Sequence, residues 1–145
     1  MAVTVETLSV IDDEVVEAFD QLLPQLSQSA ARLDREALRQ LVSGEATTVL
    51  VALSDGKIVG TLSLVMFRIP SGLRARVEDV VVADAARGQG VGAILIEEAK
   101  TRAGAAGART LDLTSRASRN AAGRLYERLG FRRRESEIYR FSPNL

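Results

Sequence analysis

The spacing of apolar residues changes period several times along the chain, and each change marks an element. Residues 3–10, VTVETLSV, alternate apolar and polar positions and predict a first strand. From about residue 14 to 23 the period lengthens to that of a helix, with Val15, Ala18, Phe19, Leu22 and Leu23 on one side. Asp12 and Asp13 are its N-cap candidates, and Pro24 is the predicted stop. A second helix is predicted over 34–42, capped by Asp34, with Ala37, Leu38, Leu41 and Val42 inward and Gly44 ending it. The polar stretch QLSQSAAR separates these helices, which suit one wall of a cleft.

Thr47 to Leu53 is rich in β-formers, Ser54-Asp55-Gly56-Lys57 is a hairpin turn signal, and Ile58 to Phe67 is the returning strand. Arg68 to Gly72 reads as a loop, after which Leu73 to Val82 pairs as the next antiparallel strand. A helix follows, with Val91, Ile94, Leu95 and Ala99 near one face, Glu97, Glu98 and Arg102 elsewhere, and Gly104 and Gly107 at its end. Thr110 to Thr114 is a short strand reached through that crossover helix, so it should run parallel to Leu73–Val82 in a right-handed unit. Residues 121–129 repeat the helical spacing through Ala121, Ala122, Leu125, Tyr126 and Leu129; Gly130 stops them, and Phe131–Arg134 and Ile138–Phe141 are two predicted closing strands. The expected architecture is one mixed α/β domain over 1–145, a twisted, mostly antiparallel sheet with one parallel β-α-β crossing.

Composition restricts the chemistry. The chain has 145 residues, 46% hydrophobic and 26% charged, and no apolar run nears the roughly 20 residues needed to span a bilayer. No membrane association is expected, and the N-terminus lacks the basic start and apolar block of a signal peptide, so a cytoplasmic location is expected. There is no Cys and no His. A Cys-His or Ser-His-Asp apparatus is therefore excluded, zinc would lack its usual ligands, and no metal site is expected. Catalysis would fall to carboxylates, tyrosine, lysine, hydroxyls, backbone groups or water.

The formal charge is zero but uneven, with 8 basic and 15 acidic residues over 1–99 against 11 and 4 over 100–145. The basic end follows a glycine-rich turn, and Tyr126, Phe131, Tyr139 and Phe141 are its few aromatics. That is thin support for nucleic acid, which is not expected as a partner; a soluble polyanion or a solvated face explains the charge better.

The turn itself, Arg87-Gly88-Gln89-Gly90-Val91-Gly92, lies between an apolar strand and a helix. A helix start carries unpaired N–H donors and a dipole that favours negative charge, and alternate glycines let backbone approach a ligand closely, so the turn suits an anion such as phosphate. Gly88-x-Gly90-x-x-Ala93 also satisfies the dinucleotide fingerprint, with Asp112 near the place of a ribose-binding acid. Against this, Ala83 to Arg87 intervene between strand and first glycine, and too little chain follows Asp112 for further β-α units. A Walker A loop fails because no Gly-Lys-Ser/Thr follows.

The arrangement resembles the GNAT superfamily of acyl-CoA-dependent N-acetyltransferases. Its Arg/Gln-x-x-Gly-x-Gly/Ala signature matches Arg87 to Gly92, preceded by the apolar strand Val77–Val82, and its later pattern matches Asn120-Ala121-Ala122-Gly123-Arg124-Leu125-Tyr126-Glu127-Arg128-Leu129-Gly130-Phe131. The resemblance is strong over about 47–141 and vague before it. It implies the GNAT fold with a splayed acyl-CoA cleft, acetyl-CoA as co-substrate without a metal, and an amine acceptor. We expect a monomer or homodimer.

The resemblance also implies roles. Backbone N–H groups of Gly88, Gln89, Gly90, Val91 and Gly92, with Arg87 nearby, would bind the CoA pyrophosphate. The strand end at Val80, Val81 and Val82 would splay around a bulge, freeing backbone groups for the pantetheine arm and one N–H for the thioester oxygen. Their side chains are plain core in either reading. Tyr126 matches the family's general acid beside the CoA sulfur, although its place on an apolar helix face equally suits a buried tyrosine. With ordinary pKa values of about 10 for a phenol and about 8.5 for a thiol, full proton transfer to a free thiolate is uphill by roughly 2 kcal/mol, so a hydrogen bond to the departing sulfur suffices. Glu78 and Asp79 are the candidate bases; alternation sends them to opposite faces, and Glu78 is favoured, directly or through water. Glu78 shares its face with Arg74 and Arg76, so a structural ion pair is an equal reading. Asn120 is an N-cap or a contact to the CoA arm, and Arg116, Arg119 and Arg124 are candidates for phosphates or an acidic substrate. An acyl-CoA-binding sensor or a catalytically silent module of the same fold is the alternative. The acceptor stays open, with the first two helices and the Phe67–Leu73 loop as candidates for its pocket.

Overall fold

A computed structural model describes residues 2–27, 31–115 and 120–144, with the side chains of Asn120 and Ala121 outside that description. The chain divides into two compact units, Met1–Thr114 and Ser115–Leu145. The first contains β1 (Val3–Thr7), α1 (Asp13–Leu26), α2 (Arg35–Ser43), β2 (Thr47–Ser54), β3 (Lys57–Ile69), β4 (Gly72–Val82), α3 (Val91–Ala105) and β5 (Thr110–Asp112). The second contains α4 (Asn120–Arg128).

The caps predicted at Asp12 and Asp34 work through specific bonds, whereas Asp13 is the first residue of α1 itself. Asp12 Oδ1 accepts from the Val15 N–H at 2.9 Å, and Asp34 Oδ1 from the Ala37 N–H at 2.8 Å. Pro24 does not stop α1, which runs to Leu26. A proline costs the bond to the carbonyl four residues back, but so near the end one turn closes beyond it, with the Ser27 N–H on Leu23 O at 3.0 Å. Between β2 and β3, Asp55 and Gly56 both take positive φ, 51° and 76°, as a two-residue hairpin turn requires. The predicted 68–72 loop is instead strand on both sides of a tight turn at Pro70 and Ser71, with Ile69 paired to Gly72.

The sheet order is β1-β2-β3-β4-β5, antiparallel throughout except that β4 and β5 run parallel, as the crossover helix requires. Its two faces are read from register. Val49 and Val51 of β2 pack with Val15 and Phe19 of α1 and Leu38 of α2. Their partners on β3 are Ser63 and Thr61, which in turn oppose Glu78 and Val81 of β4, so all six share the α1/α2 face. Leu50, Leu62, Leu64 and Val77 line the other face, which α3 covers. There α3 approaches β3 so closely that a β-carbon on Gly60 would meet Val91 Cγ1 at 3.1 Å and Leu95 Cδ1 at 3.3 Å.

Helix α3 buries Val91, Leu95, Ile96, Ala99 and Ala103, a stripe at three- and four-residue spacing. Ile94, placed inward from the sequence, is instead 37% exposed, and Ile96 takes the inward place. The predicted strands Phe131–Arg134 and Ile138–Phe141 are absent: residues 131–142 have no regular structure, and Ile138, Tyr139 and Phe141 are exposed. A strand needs a neighbour for its backbone groups, and no described residue pairs with these segments.

Candidate active site

The site begins where β4 loses its neighbour. The β4–β5 ladder consists of Arg74 with Thr110, Ala75 with Leu111 and Arg76 with Asp112. β4 continues to Val82, and beyond Arg76 no described strand runs along its outer edge. A bulge lies within that stretch, because Thr61 and Ser63 on β3 face Val81 and Glu78, three residues apart on β4. The extra residue is absorbed at Asp79, whose φ is +50°. Aspartate is among the few residues that tolerate this left-handed conformation, because its short polar side chain can bond locally. Sequence reasoning placed a bulge near Val80–Val82 by resemblance and missed Asp79 as its pivot; the polar Glu78-Asp79 pair inside a valine run was the available signal.

Alternation therefore does not hold across Glu78 and Asp79, and both side chains are exposed. Val81 is buried, at 5% exposure, while Val80 and Val82 are half-buried. Glu78 points to the α1/α2 face and accepts from Arg76 Nε at 3.0 Å. Arg76 also donates to Thr114 Oγ1 at 3.0 Å. The ion pair anticipated for Glu78 is thus present. It is half-exposed, the class of pair that contributes little to stability.

After β4 a single 3-10 turn, Asp84–Ala86, leads into the glycines. Gly88 and Gly90 have φ of +81° and +78°, and a β-carbon on either would project into open space. Gly92 lies inside α3 and faces Val82 Cγ2, 3.8 Å from where its β-carbon would be. No side chain caps α3 at Gly90, and its first turn holds no acidic residue. The Ile94 N–H reaches Gly90 O at 3.1 Å, and no described group accepts from the N–H groups of Gly88 to Gly92. Uncapped donors facing open space, with the helix dipole behind them, form a cradle for an anion. The Gln25 side chain of α1 accepts from the Asp84 N–H at 2.9 Å, a tie between α1 and the turn that no sequence signal announced. Arg87 is paired with Asp84 at 3.0 Å, and both are exposed.

In the second unit, Tyr126 sits at the end of α4. The helix closes with the Gly130 N–H on Glu127 O and the Phe131 N–H on Tyr126 O, both at 3.0 Å, around Gly130 at φ +95°. This double bond pattern brings the first residue past the glycine back over the last turn. Phe131 accordingly packs edge-on against the Tyr126 ring, with centroids 6.2 Å apart. The phenol makes no hydrogen bond to a described residue. Arg124 is exposed. Arg116, Arg119 and the Asn120 side chain, named as candidates from the sequence, lie outside the described residues.

Elsewhere, Arg32 donates to both carboxylate oxygens of Asp20, at 2.9 and 2.6 Å. That hydrogen bond and charge raise its pKa, without consequence for a guanidinium that is charged at any working pH. No group of three potential metal-ligating side chains occurs among the described residues. No described helix is long and apolar enough to cross a membrane.

The family model for the acetyltransferase (GNAT) family matches residues 13–131, running through both units. The chain belongs to that family. A transcriptional regulator from Bacillus halodurans C-125 shares 28% identity and superposes with a TM-score of 0.78, covering 97% of this chain and 100% of that one. An aminoglycoside acetyltransferase from an uncultured soil metagenomic sample shares 26% identity at a TM-score of 0.74, covering 98% and 97%. Glucosamine-6-phosphate N-acetyltransferase from Arabidopsis thaliana has a TM-score of 0.81 at 20% identity, covering 97% and 99%, a likeness of fold alone. The sequence matches none of the curated proteins. Members of the family use acetyl-CoA.

Proposed function

We propose that this protein is a single acetyl-CoA-dependent N-acetyltransferase domain over 1–145 that acetylates a primary amine by direct attack in a ternary complex, in the cytoplasm, as a monomer or homodimer. The observation that carries the reading is the conjunction, within the first unit, of an uncapped glycine cradle and a bulged strand end. The N–H groups of Gly88 to Gly92 hold the pyrophosphate, with Arg87 turning from Asp84 to add charge. Unpaired backbone groups of Val80 to Val82 receive the pantetheine arm, and one N–H there stabilises the oxyanion as the amine adds to the thioester carbon.

Glu78 takes a proton from the ammonium form of the acceptor, directly or through water, leaving the lone pair to attack. The tetrahedral adduct gives up its second nitrogen-bound proton to water and collapses, the carbon–sulfur bond breaks with its electron pair leaving on sulfur, and Tyr126 donates a hydrogen bond to the departing thiolate. Direct attack fits a chain without cysteine, which has no thiol for an acyl-enzyme relay.

The test is release of free thiol from acetyl-CoA across a library of amines. At least one amine should raise the rate well above hydrolysis. Acyl-CoA binding with no thiol release for any amine would favour the alternative, an acyl-CoA-binding sensor or a catalytically silent module of the same fold.

A further inference from the structure

The Glu78-bearing face of β4 carries a second feature that donor binding does not use. At the β3–β4 turn two guanidinium groups converge on one residue. Arg74 donates from Nη2 to Ser71 Oγ at 2.9 Å, and Arg109 donates from Nη1 to the Ser71 carbonyl at 2.8 Å. Arg74 Nη1 reaches Thr110 Oγ1 at 3.2 Å, and Thr110 is its ladder partner. The stem of Arg109 lies across Gly72, where a β-carbon would stand 2.7 Å from Arg109 Cδ; a glycine at φ +118° leaves the room it occupies.

Neither guanidinium forms an ion pair with a described carboxylate. Arg76, between Arg74 and Glu78 on the same face, differs because Glu78 neutralises it. Two like charges held together on neutral oxygens repel each other, and an anion relieves that repulsion. Each guanidinium keeps N–H donors to spare, and the Ser71 and Thr110 hydroxyls, already accepting from Arg74, still have protons to donate.

We propose that Arg74 and Arg109, with the Ser71 and Thr110 hydroxyls, form an anion subsite that holds a carboxylate or phosphate carried by the acceptor amine. This deepens the function proposed above and rests on Glu78 as the acceptor-side base. Arg74 lies four residues from Glu78 along one face, roughly 13 Å at about 3.3 Å per residue, so the acidic group sits at the far end of an extended acceptor.

Two measurements separate this subsite from the transferase reading. In the first, inorganic phosphate is titrated into the protein at constant ionic strength and arginine Nε–H resonances are followed. Signals of Arg74 and Arg109 should shift together and saturate, while chloride leaves them unmoved; linear, unsaturable drift overturns the subsite whether or not the protein is an enzyme. In the second, acetylation is compared for amines with a distal carboxylate or phosphate and for their uncharged amide or ester counterparts. Arg74→Gln with Arg109→Gln should raise KM for the charged acceptors about tenfold and leave KM for neutral acceptors and for acetyl-CoA unchanged. Equal effects on charged and neutral acceptors, with unchanged melting temperature, overturn the proposal. If no amine is acetylated, the transferase reading and the acceptor role both fail, and the phosphate titration still decides whether the subsite exists.

Discussion

The glycine cradle at the start of α3 and the α1/α2 face of β4 lie close in sequence and carry opposite kinds of information. The cradle is built from backbone. Its donors belong to Gly88 through Gly92, and the side chains matter mainly by being absent. The β4 face is built from side chains, with Glu78, Arg76 and Arg74 in a row, each bonded to something nearby. A backbone site has few ways to change and suits a ligand portion that never varies. A side-chain site can be rewritten one residue at a time and suits a ligand portion that varies.

Breaking the cradle should have the largest effect. Gly90→Val places a branched side chain in the open space and forces φ +78°, which disfavours β-branched residues most. We expect acyl-CoA affinity measured by calorimetry to fall at least about 100-fold. Gly90→Asn separates the two causes, because asparagine tolerates the left-handed region while still filling the space. Recovery of fold stability with binding still lost would assign the effect to obstruction. Intact affinity in both variants would remove the pyrophosphate from this turn.

Next in size is Tyr126, whose ring is set by Phe131 and whose hydroxyl has no described partner. Tyr126→Phe keeps the ring contact and deletes only the donor. A fall in kcat of about 30-fold with KM for acetyl-CoA nearly unchanged is expected for a residue acting on the leaving sulfur. Unchanged kcat would make Tyr126 a packing residue, the reading its apolar helix face also allowed.

On the β4 face, Glu78→Gln and Arg76→Gln break the same half-exposed ion pair, Arg76→Gln also losing the bond to Thr114, and each should cost little stability, within about 1 kcal/mol. Their activities should diverge. Loss of the carboxylate should lower kcat about tenfold, whereas loss of Arg76 should leave it within about twofold. If both variants keep full activity, the pair is structural and the proton leaves by another route.

The same division governs what the sequence disclosed. The cradle was legible because a run of alternate glycines at a helix start has few structural explanations, and the parallel β4–β5 crossing followed from the length of α3 between two strands. Helix caps at Asp12 and Asp34 were legible for a similar reason, since a local bond satisfies a local need. The left-handed Asp79 was hidden because alternation assumes a regular strand, and one inserted residue turns every later side chain over. The closing strands at 131–134 and 138–141 were misjudged because β-forming composition supplies no partner. Ser71, Arg74 and Arg109 meet only through the hairpin and the crossover, which bring residues 38 apart in sequence into contact.

The smallest predicted effect lies at the border of the two regions. Asp84 stands just before the cradle and occupies Arg87 in an exposed pair at 3.0 Å. Its charge opposes that of a bound pyrophosphate, and its hold on Arg87 competes with the ligand. Asp84→Asn should therefore tighten acyl-CoA binding about twofold at low ionic strength, and the gain should vanish in about 0.5 M salt, where charges more than about 4 Å apart are screened. The backbone N–H of residue 84 still bonds Gln25 in the variant, so the turn itself keeps its anchor. A gain that persists in high salt would mean that the substitution had altered the turn's geometry. Weaker binding at low salt would mean that the Asp84–Arg87 pair holds the turn in its binding conformation, which would give a side chain a part in a site otherwise made of backbone.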